Sequence, residues 1–252
     1  MMQATSAAAS GLQAQQERLD IIAANIANVN TVGYKSARAD FKDALYSRMQ
    51  NPADGLSVEE NLLKGSGVIL SGTGRDFTDG AAQSTGVQTD MALSGSGFFM
   101  LQDDGGDAVY TRNGNFSLSE ENGSLYLVNA DGNYVLSDQG TRIQVPGDGS
   151  FHVSADGTLS HEGEAFSKLA VVQFDNPEGL DDVGNSCYRE TAASGGAYRA
   201  SDAGVTQGSL ENSNVDLGQE MTLLMRAQRA YSLAGKALQT ADEMDGLANN
   251  MR

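Results

Sequence analysis

The stretch "ANIANVNTVGYK", residues 24–35, ends a helical pattern with residues that disfavour a helix. Asn25, Asn28 and Asn30 lie close together in it, and an asparagine side chain competes for the backbone hydrogen bonds on which a helix depends. Asn30 and Gly33 can adopt the left-handed conformation that ends a helix. Asn25 and Asn28 come too early for that role and need another explanation.

A stripe of apolar residues leads into this stretch. Its members recur at spacings of seven, three, four and three, with Ala8 and Gln15 at the heptad positions between them. They are Leu12, Leu19, Ile22, Ile26 and Val29. Such spacing places the side chains on one side of a helix. The pattern predicts a helix from about Thr5 to Val29.

The C-terminal end of the chain carries a second helical pattern. Ser213 with Asp216 forms the predicted N-terminal cap, and Glu220 lies near the positive end of the helix. A stripe at spacings of three and four follows. It consists of Leu217, Met221, Leu224, Gln228, Tyr231, Ala234, Leu238 and Ala241. The pattern predicts a helix from about Val215 to the C-terminus.

Charge and composition separate these ends from the rest of the chain. The 252 residues carry a formal net charge of −17. Residues 1–50 contain five basic and four acidic side chains, and residues 209–252 contain four basic and six acidic ones. Residues 51–208 therefore carry a net charge of −16, with all three prolines and 25 of the 30 glycines. Two nearly neutral ends flank an acidic, glycine-rich centre.

Several classes of function are disfavoured by these numbers. Nucleic acids and anionic lipids require basic surfaces, so neither a nucleic-acid partner nor membrane insertion is expected. No basic segment precedes an apolar run, so we expect no cleaved signal peptide of the ordinary kind. Cys187 is the single cysteine, so no internal disulfide can form.

The two helical stripes are narrow for helices of this length. Burying them against each other offsets only part of the entropy lost on ordering the chain ends. Packing among copies of the same chain is a better solution, and an asparagine amide could then bond a neighbouring chain and fix its register. The alternative is that both helices pack on the chain's own core.

Strand and turn patterns fill the centre of the chain. "MALSGSGFFMLQ" at 91–102 is a strand interrupted by glycines, and "SLYLVNADGNYVLS" at 124–137 is a hairpin with Asp131-Gly132 at its tip. Turn signals recur about every ten residues, which is typical of an antiparallel all-β domain.

The fold class predicted is α+β, with discontinuous N- and C-terminal helices that form a coiled-coil-like helical domain and with a central antiparallel all-β domain. Residues 1–48 plus 209–252 form the helical assembly domain in this division. Residues 49–74 are an extended connector, and residues 75–208 form the β-rich outer domain.

Candidate catalytic and metal-binding residues are few. His152 lies on an alternating strand beside a turn, and Cys187 has no identifiable histidine partner, so neither is expected to catalyse a reaction. "DDGGD" at 103–107 lacks the spacing of a calcium loop and is better interpreted as a hairpin turn. The glycine-rich segments lack the Lys-Ser/Thr ending of a phosphate loop. We expect no catalytic residue, no cofactor and no metal.

Three motifs resemble the flagellar axial protein family, the rod and hook subunits of the bacterial flagellum. They are "SGLQAQQERLDIIAANIANVNTVGYKSARADFKDALYSRM" at 10–49, "RDFTDGAAQSTGVQTDMALSGSGFFML…YTRNGNFSL" at 75–118, and "QGSLENSNVDLGQEMTLLMRAQRAYSLAGKALQTADEM" at 207–244. They occur in that order and cover over half the chain. Within the family, the short length and the "QGSLENSNVDL" segment are most similar to distal rod subunits.

The resemblance implies a structural subunit that polymerises into the hollow drive shaft between motor and hook. Its implied partners are copies of itself, other rod subunits, the hook protein and the flagellar export apparatus, with ring proteins as further candidates. The implied location is the basal body outside the cytoplasm, reached by type III export. The implied assembly interface comprises Leu12, Leu19, Ile22, Asn25, Ile26, Asn28, Val29, Leu217, Met221, Leu224, Tyr231 and Leu238.

Alternatives remain within and outside this family. A proximal-side rod subunit, a hook subunit or a hook-junction subunit would show the same terminal patterns. An enzyme acting on the cell wall would need a pair of carboxylates in a cleft, and an acidic adhesin would bind calcium.

Overall fold

A computed structural model of the chain describes residues 2–44, 47–48, 63–64, 67–147, 149–200 and 203–250. The described chain forms two compact units. The helical unit comprises Met1–Ala27, Ala37–Gly74 and Asp216–Arg252, and the β unit comprises Asn28–Ser36 and Arg75–Val215. The chain is therefore α+β, as the sequence predicts. Most of the predicted connector at 49–74 lies outside the described residues, and the three-part division stays a prediction.

Among the described residues, the helical unit contains two long helices and four strands. The helices are α1 (Met2–Ala27) and α2 (Leu217–Asn250). The strands are β1 (Ala37–Asp43), β2 (Ser47–Arg48), β3 (Leu63–Lys64) and β4 (Val68–Arg75). β1 pairs with β4, and β2 pairs with β3. Both predicted helices are confirmed, with ends that differ from the prediction by a few residues.

The caps of these helices follow from local sequence. The Asp216 carboxylate accepts hydrogen bonds from the backbone N–H groups of Gly218 and Gln219, as the predicted cap requires. At the other terminus α1 ends at Ala27, and the Asn28 side chain accepts a bond from the Thr31 hydroxyl at 3.0 Å. Asn28 therefore acts in the turn after the helix, which corrects the expectation that it comes too early to do so.

The β unit contains the remaining strands. They are β5 (Ala82–Ser84), β6 (Met91–Ser94), β7 (Phe98–Gln102), β8 (Ala108–Thr111), β9 (Ser117–Glu121), β10 (Ser124–Val128), β11 (Tyr134–Val135), β12 (Gln144–Val145), β13 (His152–Val153), β14 (Thr158–His161), β15 (Glu164–Lys168), β16 (Val171–Gln173), β17 (Asp181–Gly184), β18 (Cys187–Arg189), β19 (Tyr198–Arg199), β20 (Gly204–Gln207) and β21 (Ser209–Glu211).

The largest sheet of this unit has ten strands. Its main path runs β12-β10-β11-β7-β8-β18-β17, with β16, β19 and β9 attached at its sides. The predicted hairpin at 124–137 is confirmed, because Val128 pairs with Tyr134 across a turn in which Gly132 has a φ of +88°. β13, β14 and β15 form a smaller antiparallel sheet, while β20 pairs with β6 and β21 pairs with β5.

Strand β7 explains why "FFML" at 98–101 is apolar without interruption. Phe99 and Leu101 point into the main core, where both are fully buried. Phe98 points to the other side, into an aromatic cluster with Tyr110 and Phe174. Phe98 and Phe174 meet edge to face with ring centroids 5.7 Å apart. Both sides of this strand are covered, so its sequence shows no polar alternation.

The fold constrains the backbone of Gly33, the single glycine in residues 24–35. Its φ is +67°, whereas Asn30 is not among the left-handed residues, so only Gly33 takes the predicted conformation. A Cβ at Gly33 would lie 2.6 Å from the backbone nitrogen of Asn113 and 2.7 Å from its Cα. No side chain fits there without movement of the backbone.

We predict that Gly33→Ala destabilises the β unit by about 3 kcal/mol or more, because strain at positive φ adds to a backbone collision. Gly86→Ala is the matched control. Gly86 has a φ of +70°, but a Cβ added there would meet no atom within 4 Å, so only the conformational strain of about 1 kcal/mol remains. Urea unfolding of both variants measures the difference, and equal losses would contradict the collision.

Candidate functional site

Four charged side chains form a buried ion cluster in the β unit. Lys35, Arg112 and Glu211 are each no more than 1% exposed, and Asp79 completes the group at the surface. Two positive and two negative charges balance one another. The members come from all three sequence motifs, which lie far apart along the chain and meet in this cluster.

Glu211 lies between the two cations. The Lys35 Nζ donates to its Oε1 at 2.7 Å, and Arg112 Nη1 donates to its Oε2 at 3.3 Å. The backbone N–H of Gly80 also donates to Oε1 at 2.8 Å. Lys35 gives a second bond to the Thr78 carbonyl oxygen at 2.6 Å. These partners replace the water that both ions lose on burial.

Arg112 extends the cluster to Asp79. Its Nη2 donates to Asp79 Oδ1 at 3.1 Å and to the Gly95 carbonyl oxygen at 2.6 Å. The Gly95 N–H returns a bond to the other oxygen of Asp79 at 2.8 Å. The guanidinium also lies 5.8 Å from the centre of the Phe98 ring. Arg112 thereby fixes the loop that joins β6 to β7.

Burial lowers the pKa of Lys35. Desolvation, followed by the nearby Arg112 guanidinium, lowers the pKa of Lys35 from its ordinary 10.5, while the hydrogen bond and charge of Glu211 oppose that change. The role of Lys35 was not predicted from the sequence. Its partner Glu211 is 176 residues away, so no local spacing could reveal the pair.

Asn214 ties together three segments of the β unit close to this cluster. Its Oδ1 accepts from the Ser36 N–H at 2.8 Å, and its Nδ2 donates to the Asp76 carbonyl oxygen at 2.8 Å. Asp76 N–H in turn donates to the Ser36 carbonyl oxygen at 2.9 Å. Residues 28–36 are thus held at Gly33, Lys35 and Ser36, since the Gly33 N–H also bonds the Glu211 carbonyl oxygen at 2.8 Å.

Asn25 makes a comparable connection within the helical unit. Its Nδ2 donates to the Ala37 carbonyl oxygen at 2.8 Å and to Glu220 Oε1 at 3.1 Å, and its Oδ1 accepts from the Ala37 N–H at 2.9 Å. These three hydrogen bonds lie within the chain, and whether the amide also bonds a neighbouring chain stays a prediction. Since Asn25 near the end of α1 meets Glu220 in the first turn of α2, the helices run antiparallel.

The predicted assembly residues fall into three groups. Ile22 and Asn25 are buried; Leu12, Leu19, Ile26, Leu224 and Leu238 are half-buried; Leu217, Met221 and Tyr231 are exposed. All of these lie in the helical unit. Asn28 and Val29, both half-buried, belong to the β unit. Whether these residues form an interface between copies stays a prediction.

The other candidate residues of the sequence lie on a strand, in a turn or in the core. His152 is exposed on β13, and "DDGGD" forms the turn between β7 and β8, with Asp103 N–H bonded to the Asp107 carbonyl oxygen. Burial raises the pKa of the Cys187 thiol to about 11, so it stays protonated at neutral pH and is a poor nucleophile. Within the described ranges, no three His, Cys, Asp or Glu side chains are grouped to hold a metal, and no helix is long and apolar enough to span a membrane.

Comparison with known proteins places these motifs in one family. Family models described as "Flagella basal body rod protein", "Flagellar hook protein FlgE/F/G D1 domain" and "Flagellar basal body rod FlgEFG protein C-terminal" match residues 6–35, 92–161 and 206–251. The flagellar basal-body rod protein FlgG of Borreliella burgdorferi is 37% identical, over 100% of this chain and 99% of its own length. The chain belongs to the FlgG family of flagellar basal-body rod proteins.

Further relatives agree with this membership. FlgG of Caulobacter vibrioides is 35% identical over the full length of both chains, and FlgG of Bacillus subtilis is 37% identical over 97% of each. The flagellar hook-basal body complex protein FlhP of Bacillus subtilis is 30% identical, again over the full length of both. As a member of this family the protein is a structural subunit of the flagellar rod.

We predict that Glu211→Gln destabilises the protein by about 3–5 kcal/mol, because it leaves two buried cations without their shared carboxylate. The double variant Lys35→Met/Glu211→Gln restores charge balance and should lose less than Glu211→Gln alone. Urea unfolding of the unsubstituted chain, the two single variants Lys35→Met and Glu211→Gln, and the double variant measures this.

Lys168→Met is the matched control for Lys35. The ion pair of Lys168 with Asp156 is largely exposed, so its removal should cost less than about 1 kcal/mol. A double variant that loses as much as the sum of its single variants would show that the charges of the cluster do not act together.

Proposed function

We propose that this rod subunit polymerises with copies of itself through its helical unit. The observation that carries the proposal is the row of large apolar side chains left exposed on α2. Met225 is 52% exposed, Leu233 is 66%, Met244 is 56% and Leu247 is 64%. Apolar side chains of this size on one long helix mark a surface that a protein partner covers.

The opposite side of α2 is already occupied. Ala227 and Ala241 are buried, and Leu224, Ala234 and Leu238 are half-buried between them. These residues recur at spacings of three, seven, four and three, so they form one side of the helix. α1 is in contact with α2, so we infer that this buried side is the one that α1 covers. The exposed methionines and leucines are therefore not covered by α1. They form an apolar surface on the helical unit that other copies can bind.

The finer proposal is a distal-type subunit of a hollow helical shaft between motor and hook, with the terminal helices in a coiled-coil-like layer. Its support is the full-length similarity to proteins named FlgG and the nearly neutral charge of the chain ends. Neutral ends pack densely without self-repulsion, whereas the acidic centre favours a solvated outer position.

Partners and location follow from the same proposal. Other rod subunits and the hook protein adjoin such a shaft, ring proteins surround it, and the export apparatus delivers its subunits. The protein would then act in the basal body outside the cytoplasm. A hook-junction or proximal rod position is the alternative, supported by the similarity to the hook-basal body complex protein FlhP.

We predict that Leu233→Asp and Met225→Asp each abolish polymer formation while the β unit stays folded. Both side chains are more than half exposed, so the substitution removes contact surface without opening the core. Sedimentation of concentrated protein measures polymer, urea unfolding measures the stability of the β unit, and swimming of cells that carry the variant as their only copy measures function.

Two control variants separate apolar contact from charge. Lys236→Gln on the same exposed side changes the net charge by the same amount without removing a large apolar group, and Leu233→Met keeps the apolar area. Both should polymerise. Polymer formation by Leu233→Asp at the concentration needed by the unsubstituted chain would exclude this side of α2 as the assembly surface.

A further inference from the structure

Two Asn-Gly dipeptides occur in the chain, Asn113-Gly114 and Asn122-Gly123. Asparagine is a thermolabile residue. It is most reactive before glycine, which has no side chain to hinder the approach of its backbone nitrogen to the asparagine amide. The two dipeptides lie in different surroundings. The first is in the loop between β8 and β9, and the second forms the whole turn between β9 and β10.

The turn at Asn122 and Gly123 is open to solvent. Both residues are exposed, and a Cβ added at Gly123 would meet no atom within 4 Å. Their φ angles of +52° and +77° fit a two-residue turn that follows the twist of a hairpin. Glu121 and Ser124 pair across it. Among the described strands β9 pairs with β10 alone, so the turn can change its backbone angles without disturbing another strand.

The dipeptide at Asn113 and Gly114 is held at both residues. Asn113 Oδ1 accepts a hydrogen bond from the Asn115 N–H at 3.0 Å, which fixes the side-chain amide. Gly114 is buried, and its carbonyl oxygen accepts a bond from the Met91 N–H at 3.0 Å. A Cβ at Gly114 would lie 1.5 Å from the Met91 carbonyl oxygen. The backbone of this dipeptide therefore cannot rotate unless strand β6 moves away.

We propose that Asn122 deamidates spontaneously in the folded protein, whereas Asn113 is protected. The backbone nitrogen of Gly123 loses its proton to water and attacks Cγ of the Asn122 side chain. A new C–N bond closes a five-membered succinimide ring, while the side-chain nitrogen takes up a proton and leaves as ammonia. Water then adds to either carbonyl carbon of the ring and opens it. The products are aspartate or isoaspartate at position 122, and no oxidant or reductant is consumed.

Either product changes the outer end of the β9–β10 hairpin. The new carboxylate adds a negative charge beside Glu121, whose own carboxylate accepts a bond from the Tyr134 hydroxyl at 2.9 Å. Isoaspartate also places the side-chain methylene in the main chain. The two-residue turn then no longer matches the pairing of Glu121 with Ser124. Because water does not restore the amide, the change accumulates, and the converted fraction records the age of the protein.

Peptide mapping by mass spectrometry of the full-length protein tests the proposal. Folded protein is incubated in mildly alkaline buffer, and the conversion of amide to acid is followed at both Asn-Gly dipeptides. The same protein unfolded in guanidinium chloride is the matched control, because without the fold the two dipeptides undergo the same reaction. The variant Asn122→Gln keeps an amide but requires a larger ring, so its position 122 should stay unchanged.

We expect Asn122 to convert at least about tenfold faster than Asn113 in the folded protein, because Asn113 reacts only after local opening of the β unit. In the unfolded chain the two rates should become similar. If Asn122 stays intact in the folded protein while it converts in the unfolded one, the turn protects the amide and the proposal is wrong. Equal rates at the two dipeptides in the folded protein also overturn it.

Discussion

The carboxylate of Glu211 is the group on which the β unit depends. It is shared by two buried cations, Lys35 and Arg112, and by the backbone N–H of Gly80. Taking ions out of water is costly, and the cost is offset only when every charge has close partners. The sequence separation between these residues means that the cluster cannot form until most of the chain is in place. The β unit is thus completed by residues from both ends of the chain.

Side-chain amides, like the ion cluster, join segments that are far apart in the sequence. Asn214 joins residues 36 and 76 in the β unit, and Asn25 joins Ala37 to the start of α2 in the helical unit. Each amide offers donors and an acceptor in fixed geometry, so it can fix several backbone groups at once. Asparagine is a poor helix former but a good connector, which accounts for its density around residues 24–35.

Much of the architecture follows from local sequence. The two helices, the glycine-rich hairpins and the α+β class all come from periodicity and turn residues, which act over short distances. Asp216 was predictable as a cap because capping is a local interaction. The exposed apolar side of α2 was only partly predictable. The periodic stripe included Leu217, Met221 and Tyr231, but the more exposed Met225 and Leu233 lie off it. Periodicity alone does not tell which side of a helix faces its partner.

The ion cluster and the partners of Asn25 could not be predicted in this way. Lys35 sits in a motif that the family resemblance already singles out, but its burial depends on Glu211 and Arg112, which lie far along the chain. The same holds for Gly33, whose small size is required by the backbone of Asn113. Such contacts are set by tertiary packing, and residue spacing in a single sequence carries no record of them.

The central claim is that the β unit is complete within one chain whereas the helical unit requires neighbouring copies. Limited proteolysis of dilute, full-length protein, with fragments identified by mass spectrometry, tests it most directly. We expect cleavage first within residues 2–27 and 217–250, and survival of the β unit, residues 28–36 and 75–215. Terminal helices as resistant as the β unit would contradict the claim, because the helical unit would then be stable without neighbours.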